Sequence, residues 1–384
     1  MNNRNVCVVI TARPSYSRIK SALSAIKNHN DLTLQLVVAG SALLGRYGSA
    51  VDYIINDGFE IAESIYNVLE GENPASMAKT TGLGIMELAT AFQNLSPDVV
   101  LTVGDRFETI ATAIAASYMN IPLVHVQGGE VTGNIDEKVR HAITKLADQH
   151  FVSNQDAAIR LIKMGEFEEK VHVTGCPSID LAEIVLKETY SFNPFDKYLG
   201  VGSVFDVNKG FLVVMQHPVT TEHEKAKNQV SQLLSIIDDL KIPTFWFWPN
   251  VDAGSDGTSN GIRTYREYND LPHVHFYKNL EGLDFLRLIK MSSCLIGNSS
   301  VGIREAAHLG VPVVNIGKRQ NMRLRGINVC DVGHDTDEIR NAILKQVKHG
   351  NYISEAVYGD GKAGERIAKL LAEIPLSIEK VISY

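Results

Sequence analysis

Short apolar runs alternate with helical patterns along this chain. Strands are predicted in the first half for residues 6–11, 32–39, 99–103, 123–126, 150–152 and 171–173. Between them, apolar residues at helical spacing predict helices over 16–28, 74–94, 107–119, 136–147 and 156–164. This alternation predicts a parallel sheet that is covered by helices on both faces.

The same alternation of predicted strands and helices resumes after an irregular aromatic and polar stretch at 190–209. Strands are predicted there for residues 211–215, 244–248, 274–277, 294–296 and 313–316. A length of 384 residues, 45% of them hydrophobic, also favours two domains. We therefore expect an α/β protein of two doubly wound, Rossmann-like domains, 1–189 and 208–363, that face each other across a cleft. Segment 364–384 is expected to pack back on the first domain.

Composition excludes several classes of partner. A net charge of −7 without a basic block argues against nucleic acid. No stretch reaches membrane-spanning length, and the apolar run 6–10 is too short for a signal peptide. Cys7, Cys176, Cys294 and Cys330 are far apart and lack metal-ligand spacing, so we expect buried thiols in a reducing compartment. These features predict a cytoplasmic protein.

The segment 295–315 has the layout of a nucleotide site: strand, small-residue turn, short helix with a carboxylate, strand. Gly297, Ser299, Ser300 and Gly302 allow backbone N–H groups to approach a diphosphate at a helix start. Glu305 follows where a carboxylate can accept hydrogen bonds from both ribose hydroxyls. An ordinary strand–helix turn with a solvated glutamate is the alternative.

Basic residues follow the first predicted strand. Arg13 stands at the end of that strand, and Pro14 with Ser15 can start the next helix. An arginine there suits a diphosphate because its guanidinium donates two hydrogen bonds at once. A solvated basic face formed by Arg13, Arg18 and Lys20 is the alternative, and the position after a strand favours phosphate binding for Arg13 only.

Acidic residues cluster after the next strands of the first half. Asp105 follows a strand and a glycine, and Glu130 follows the next strand and two glycines. Asp136 and Glu137 open the helix that comes after. Asp105 could equally cap a helix, and Asp136 could pair with Arg140 at helical spacing. Four acids near one sheet edge are costly, which favours acid/base chemistry there.

The second half contributes further polar groups after its strands. His217 follows the first of these strands, where a histidine can donate a proton to a departing phosphate oxygen, although a structural histidine is the alternative. Asn250 and Asp252 lie in the loop after the next strand and suit sugar hydroxyls or an amide. Neither a metal-binding motif nor the glycine pattern of dinucleotide sites is present.

Taken in order, these motifs resemble the UDP-N-acetylglucosamine 2-epimerase family over nearly the whole chain, and its hydrolysing branch more closely. The motifs are Thr-Ala-Arg13-Pro-Ser, Val-Gly-Asp105-Arg-Phe-Glu, His-Val-Gln-Gly-Gly-Glu130, Asp136-Glu-Lys-Val-Arg140-His-Ala-Ile-Thr-Lys, Gln-His217-Pro, Asn-Val-Asp-Ala-Gly-Ser and Gly-Asn298-Ser-Ser300. The run from Arg140 to Lys145 and the Asp-Ala-Gly-Ser loop look most like hydrolysing members.

The resemblance implies a glycosyltransferase-B-like architecture that binds a UDP-sugar in the cleft, with no metal ion, no cofactor and a homodimer or homotetramer. UDP leaves as the C2 proton is removed, and water adds to the resulting glycal to release the free 2-epimer. The catalytic candidates are Asp105, Glu130, Asp136, Glu137 and His217. The substrate-binding candidates are Arg13, Ser15, Lys20, Gln127, Arg140, Asn250, Asp252, Asn298, Ser299, Ser300, Glu305 and Arg319.

One position departs from the family's pattern. Non-hydrolysing relatives and some hydrolysing ones carry a glutamate where this chain has Gln127. A neutral amide cannot abstract a proton, so Glu130 or Asp105 takes that role, or Gln127 only positions the substrate. The alternative functions are a non-hydrolysing 2-epimerase, a glycosyltransferase of the same fold and a non-catalytic nucleotide-sugar sensor.

Overall fold

A computed structural model describes residues 3–45, 50–69, 74–132, 135–189, 192–219, 224–249 and 255–383. The chain divides into two compact units. The first comprises Met1–Val131, Ile135–Asp180 and Tyr358–Tyr384, and the second comprises Thr132–Asn134 and Leu181–Val357. The sequence placed the boundaries at 189, 208 and 363, whereas the compact units change at Asp180 and Tyr358.

The strands of both units are short and mostly buried. In the first unit they are β1 (Arg4–Ile10), β2 (Leu32–Ala39), β3 (Glu63–Ile65), β4 (Val99–Val103), β5 (Leu123–Val126), β6 (Gln149–Val152) and β7 (Val171–Val173). In the second they are β8 (Val201–Gly202), β9 (Leu212–Met215), β10 (Thr244–Phe247), β11 (Val274–Tyr277), β12 (Cys294–Gly297), β13 (Val313–Ile316) and β14 (Val329–Val332).

Helices connect most of these strands. Along the chain they are α1 (Arg13–Lys27), α2 (Ala50–Asn56), α3 (Pro74–Leu95), α4 (Thr109–Tyr118), α5 (Ile135–Leu146), α6 (Gln155–Lys163), α7 (Pro177–Lys187), α8 (Ala226–Leu240), α9 (Ser255–Tyr268), α10 (Gly282–Met291), α11 (Ser300–Ile303), α12 (Glu305–Leu309), α13 (Thr336–His349) and α14 (Ala363–Glu373). Within the described ranges, no helix has both the length and the apolar character needed to cross a membrane.

Each unit has a seven-stranded, doubly wound sheet. The order in the first is β3-β2-β1-β4-β5-β6-β7, with every pairing parallel. The order in the second is β14-β13-β12-β9-β10-β11-β8, where β8 alone pairs antiparallel among the described strands. This confirms the predicted α/β class with two Rossmann-like sheets. The strand order reverses between β1 and β4 and again between β9 and β12, and ligands of such sheets bind beyond the carboxyl ends of these strands.

The C-terminal helix α14 completes the core of the first unit. Its apolar residues Ile367 and Leu371 join Ile19 and Leu23 of α1 in one buried cluster. Gly364 lies against the backbone of Ser21, and a Cβ there would collide with it. Arg4 donates hydrogen bonds to the carbonyls of Leu371 and Ile374. The chain therefore returns to the first unit after it has built the second.

Candidate active site

Four neighbouring parallel strands of the first unit end at one edge of its sheet. The segments that follow β1, β4, β5 and β6 begin at Thr11, Gly104, Gln127 and Ser153. Because these strands are parallel and adjacent, Arg13, Asp105 and Glu130 lie along the same edge. The sequence identified the first three of these segments and missed Ser153, although it also follows an apolar strand directly.

Asp105 is buried between two arginines. The carboxylate of Asp105 forms an ion pair with Arg140, which is itself almost fully buried on α5. On the other side, Arg18 Nη1 of α1 lies 3.5 Å from Asp105 Oδ1. Arg140 was predicted as a substrate-binding residue, and Arg18 was read as solvated. Both guanidinium groups favour the charged form of this carboxylate.

A chain of hydrogen bonds fixes the backbone just before Asp105. His125 Nε2 of β5 donates to the carbonyl of Gly104 over 2.9 Å, and its Nδ1 accepts from Thr144 Oγ1 of α5 over 3.3 Å. Burial lowers the pKa of His125 to about 3, so this imidazole is neutral. The helix that carries Arg140 thus also supports the strand end that carries Asp105.

Glu130 is a buried carboxylate with a hydroxyl beside it. Ser153 Oγ donates to Glu130 Oε1 over 3.0 Å, and both residues are less than a tenth exposed. A carboxylate in such a setting can exchange a proton with a substrate that reaches it.

Gln127 adopts a left-handed backbone conformation, with φ of +67°. Its Nε2 donates to Cys176 Sγ over 3.1 Å, whereas its buried Oε1 accepts no hydrogen bond from the described residues. This amide oxygen is therefore available to a donor on a substrate. As a neutral amide, Gln127 cannot abstract a proton, as the sequence indicated.

The remaining candidates of the first unit lie on its helices. Glu137 and its neighbour Asp136 lie in the first turn of α5, and Glu137 Oε1 lies 2.9 Å from His141 Nε2. Arg13 opens α1 and makes no hydrogen bond or ion pair within the described part of the chain. Ser15 is buried in the same turn, and Lys20 forms an ion pair with Asp57 over 2.8 Å.

In the second unit, His217 and Asn298 follow the adjacent strands β9 and β12. Asn298 Oδ1 accepts from the backbone N–H of His217 over 2.8 Å, and Asn298 Nδ2 donates to the His217 carbonyl over 2.8 Å. The carbonyl of Asn298 in turn accepts from Arg319 Nη1 over 3.2 Å and from Gln320 Nε2 over 2.8 Å. The amide of Asn298 therefore fixes the loop that carries His217.

The nucleotide-like segment folds as two short helices rather than the one expected. Ser299 Oγ caps α11 by accepting from the N–H of Val301 over 3.4 Å, and Ser300 is the first residue of that helix. At Arg304 the backbone departs from regular helix, with φ of −102° and ψ of −77°, and α12 begins at Glu305. Glu305 is only 7% exposed, and its Oε2 accepts no hydrogen bond within the described ranges. A buried carboxylate oxygen of this kind suits a hydroxyl-bearing ligand.

Two of the predicted binding residues, Asn250 and Asp252, lie outside the described residues. Among the residues that are described, no three His, Cys, Asp or Glu side chains are grouped to hold a metal ion. Three of the four cysteines are buried as expected, whereas Cys330 is partly exposed.

Comparison with known proteins decides the family. The profile of the UDP-N-acetylglucosamine 2-epimerase family matches residues 24–372. The chain belongs to this family. Among 2-epimerases it is 36% identical over 373 residues to a Legionella pneumophila protein named UDP-N,N'-diacetylbacillosamine 2-epimerase (hydrolyzing), covering 97% of each chain. It is 32% identical over 333 residues to the Campylobacter jejuni GDP/UDP-N,N'-diacetylbacillosamine 2-epimerase (hydrolyzing), covering 86% of this chain and 85% of the relative.

Solved structures of 2-epimerases share the fold. The UDP-GlcNAc 2-epimerase from Neisseria meningitidis, crystallised with UDP-GlcNAc, superimposes with a TM-score of 0.77 at 20% identity. That match covers 96% of this chain and all of the other. The predicted resemblance to the hydrolysing branch is therefore confirmed.

Proposed function

We propose that this protein is a hydrolysing 2-epimerase that converts a UDP-linked 2-acetamido sugar and water into the free 2-epimer and UDP. Two relatives that are at least 30% identical carry names of hydrolysing enzymes that act on nucleotide-linked N,N'-diacetylbacillosamine. UDP-N,N'-diacetylbacillosamine is therefore the first substrate to test, with UDP-N-acetylglucosamine second. The observation that carries the proposal is the row of buried acids at the carboxyl ends of β4 and β5.

Residues of the second unit would hold the nucleotide. Glu305 would accept hydrogen bonds from the ribose hydroxyls, because its buried Oε2 accepts none from the described residues. Backbone groups at Ser299 and Ser300 would face the diphosphate. His217 would donate to the leaving oxygen, and Asn298 would act by holding its loop. Charge on the departing diphosphate is thereby offset as it develops.

The acids of the first unit would carry out the proton transfers at C2. This hydrogen is barely acidic in the ground state, so cleavage of the C1–O bond must run ahead of its removal. Loss of UDP and of the proton gives a glycal, to which water adds at C1 while a proton arrives at C2 from the other face. Two different groups are needed, because the proton leaves on one face and arrives on the other.

We assign the base to Glu130 rather than Asp105. The ion pair with Arg140 makes the Asp105 carboxylate a weaker base, and it serves instead to stabilise positive charge on the ring. Asp136 or Glu137, at the start of α5, would then return the proton. Gln127 would orient the substrate through its unpaired carbonyl oxygen.

A cytoplasmic location and a homo-oligomer complete the proposal. The cysteines are all thiols, as in proteins of reducing compartments. The expectation of a homodimer or homotetramer follows from the family alone and is tested by light scattering of the purified protein.

The proposal is tested by incubating the enzyme with either UDP-sugar and no acceptor. We expect equal amounts of UDP and free 2-epimer, and a loss of turnover of at least about a hundredfold in Glu130→Gln. The exposed Glu169 provides the control variant Glu169→Gln, which should keep full activity. A requirement for an acceptor would instead identify a glycosyltransferase, and binding without turnover would identify a sensor.

A further inference from the structure

Ser153 is the first residue after β6, the strand next to β5 at the sheet edge described above. Its hydroxyl lies 3.0 Å from Glu130 Oε1. Ser153 is 2% exposed and Glu130 is 4% exposed, so this contact is shielded from bulk water. We propose that Ser153 is a positioning residue that aims the Glu130 carboxylate and keeps it in the charged form that can accept the C2 proton.

The backbone around Glu130 is held by the same part of the fold. Gly129 has φ of +74° and lies directly on the first turn of α6, where a Cβ would collide with the carbonyl of Ala157. Arg160 of α6 donates to the carbonyl of Gly129. Asn154, the neighbour of Ser153, caps this helix by accepting from the N–H of Ala157 over 3.0 Å. With the backbone fixed, the rotamer of Glu130 is left to its side-chain contacts, of which the Ser153 hydroxyl is one.

A neutral hydroxyl suits this task. It can donate a hydrogen bond to the ionised carboxylate and so stabilises that form. It carries no positive charge, so it does not form an ion pair with the carboxylate as Arg140 does with Asp105. Among the described residues, the titratable and charged groups on the elements around this edge include Asp105 after β4, His125 on β5, His150 on β6, Asp136, Glu137 and Arg140 on α5, and Asp156 and Arg160 on α6, with Lys380 near His125. None of these groups is altered when Ser153 is replaced, so a shift in the protonation of Glu130 between the variants is caused by loss of the hydroxyl.

The inference rests on the proposed role of Glu130, and the experiment separates the two. We compare the parent enzyme with Ser153→Ala by the pH dependence of kcat and KM for UDP release. Loss of one hydrogen bond to a charged group is expected to lower kcat about tenfold, with KM within about twofold. The acid limb of the kcat profile is expected to move up by about one pH unit, because a tenfold change in the ionisation equilibrium is one unit.

A measurement that needs no turnover accompanies the kinetics. Infrared spectra recorded during a pH titration contain the carbonyl band of protonated Glu130, identified as the band that Glu130→Gln removes. In Ser153→Ala this band should appear at a pH about one unit higher than in the parent. An inactive parent enzyme would overturn the proposed function while this titration still tests Ser153.

Matched variants complete the design. Ser153→Thr keeps a hydroxyl and should restore both the kcat and the acid limb, and Ser153→Cys provides an isosteric weak donor if the alanine variant does not fold. Ser292→Ala removes an equally buried hydroxyl that donates to a backbone carbonyl, and both readouts should stay at the parent values. An unchanged acid limb and an unchanged infrared titration in Ser153→Ala would overturn the inference, even if kcat falls.

Discussion

Glu305 is a buried carboxylate that the fold leaves ready for a ligand. Replacing it by alanine would remove the proposed charged hydrogen bonds to the ribose, so UDP affinity should fall by roughly 1.5–3 kcal/mol, or about ten- to a hundredfold. Titration calorimetry with UDP measures this directly. Glu267→Ala, which removes an exposed glutamate of α9 in the same unit, should bind UDP as the parent does. Unchanged affinity in Glu305→Ala would remove Glu305 from the nucleotide site.

Asp105 should matter for turnover more than for nucleotide binding. Asp105→Asn would remove the negative charge that we propose to lie beside the reacting ring, and we expect kcat to fall at least about a hundredfold. UDP affinity should stay within about twofold, because the proposed nucleotide contacts are elsewhere. The variant leaves Arg140 buried without its carboxylate, so thermal unfolding is followed in parallel. Turnover near the parent value in a folded variant would reduce Asp105 to a structural role.

Residue positions could be predicted from the sequence better than residue partners. Asp105, Glu130 and His217 were singled out because each follows an apolar strand, and the structure places them there. The helical spacing of Asp136 and Arg140 offered a local pair as one alternative, and the structure shows that Arg140 pairs with Asp105. That contact depends on β4 lying beside β5 with α5 above them, which a local pattern does not contain.

At the scale of elements, the sequence predicted the strands that consist of continuous apolar runs. The predicted strands 32–39 and 99–103 coincide with β2 and β4. The strands β3, β8 and β14 were missed, since they are short or carry polar residues such as Glu63 and Asp331. They lie at or beside the outer edges of the sheets, where little of a strand needs to be buried.

A buried carboxylate, Glu166, also ties the last residues of the chain to the first unit. Glu166 accepts hydrogen bonds from His150 over 2.9 Å, Lys145 over 2.8 Å and Lys380 over 2.6 Å. Burial alone would raise the pKa of Glu166, but these three donors together outweigh burial and lower it to about 2. Lys380 also donates to the carbonyl of Thr144, at the end of α5. This cluster therefore joins α5, β6 and the C-terminal segment around Lys380.

Glu166→Gln should therefore destabilise the fold in a pH-dependent way. A carboxyl whose folded pKa is depressed contributes stability above its unfolded pKa, and the contribution is lost as pH falls towards the folded pKa. We expect a loss of about 2–4 kcal/mol in unfolding free energy at neutral pH. The difference from the parent should shrink between pH 4.5 and about 2. Urea denaturation at a series of pH values measures it, with Glu169→Gln as the control. A difference independent of pH would contradict this account.

At the scale of the whole molecule, the alternation of strands and helices was enough to predict two doubly wound sheets. It could not predict the strand order, because each crossover can place the next strand on either side of the first. The structure shows that the strand order reverses between β1 and β4 in one sheet and between β9 and β12 in the other, and Asp105 follows β4 as Asn298 follows β12. In each half of the chain, candidate residues therefore follow the strands at which the sheet order reverses.

The central claim is that the sugar leaves UDP before it is epimerised and is released free. We would incubate the enzyme with UDP-N,N'-diacetylbacillosamine in deuterated water and follow the products by NMR. The account predicts deuterium at C2 of a free 2-epimeric sugar, with one UDP formed for each sugar released. Accumulation of a UDP-linked 2-epimer with little free sugar, or a free sugar that keeps its original C2 hydrogen, would contradict it.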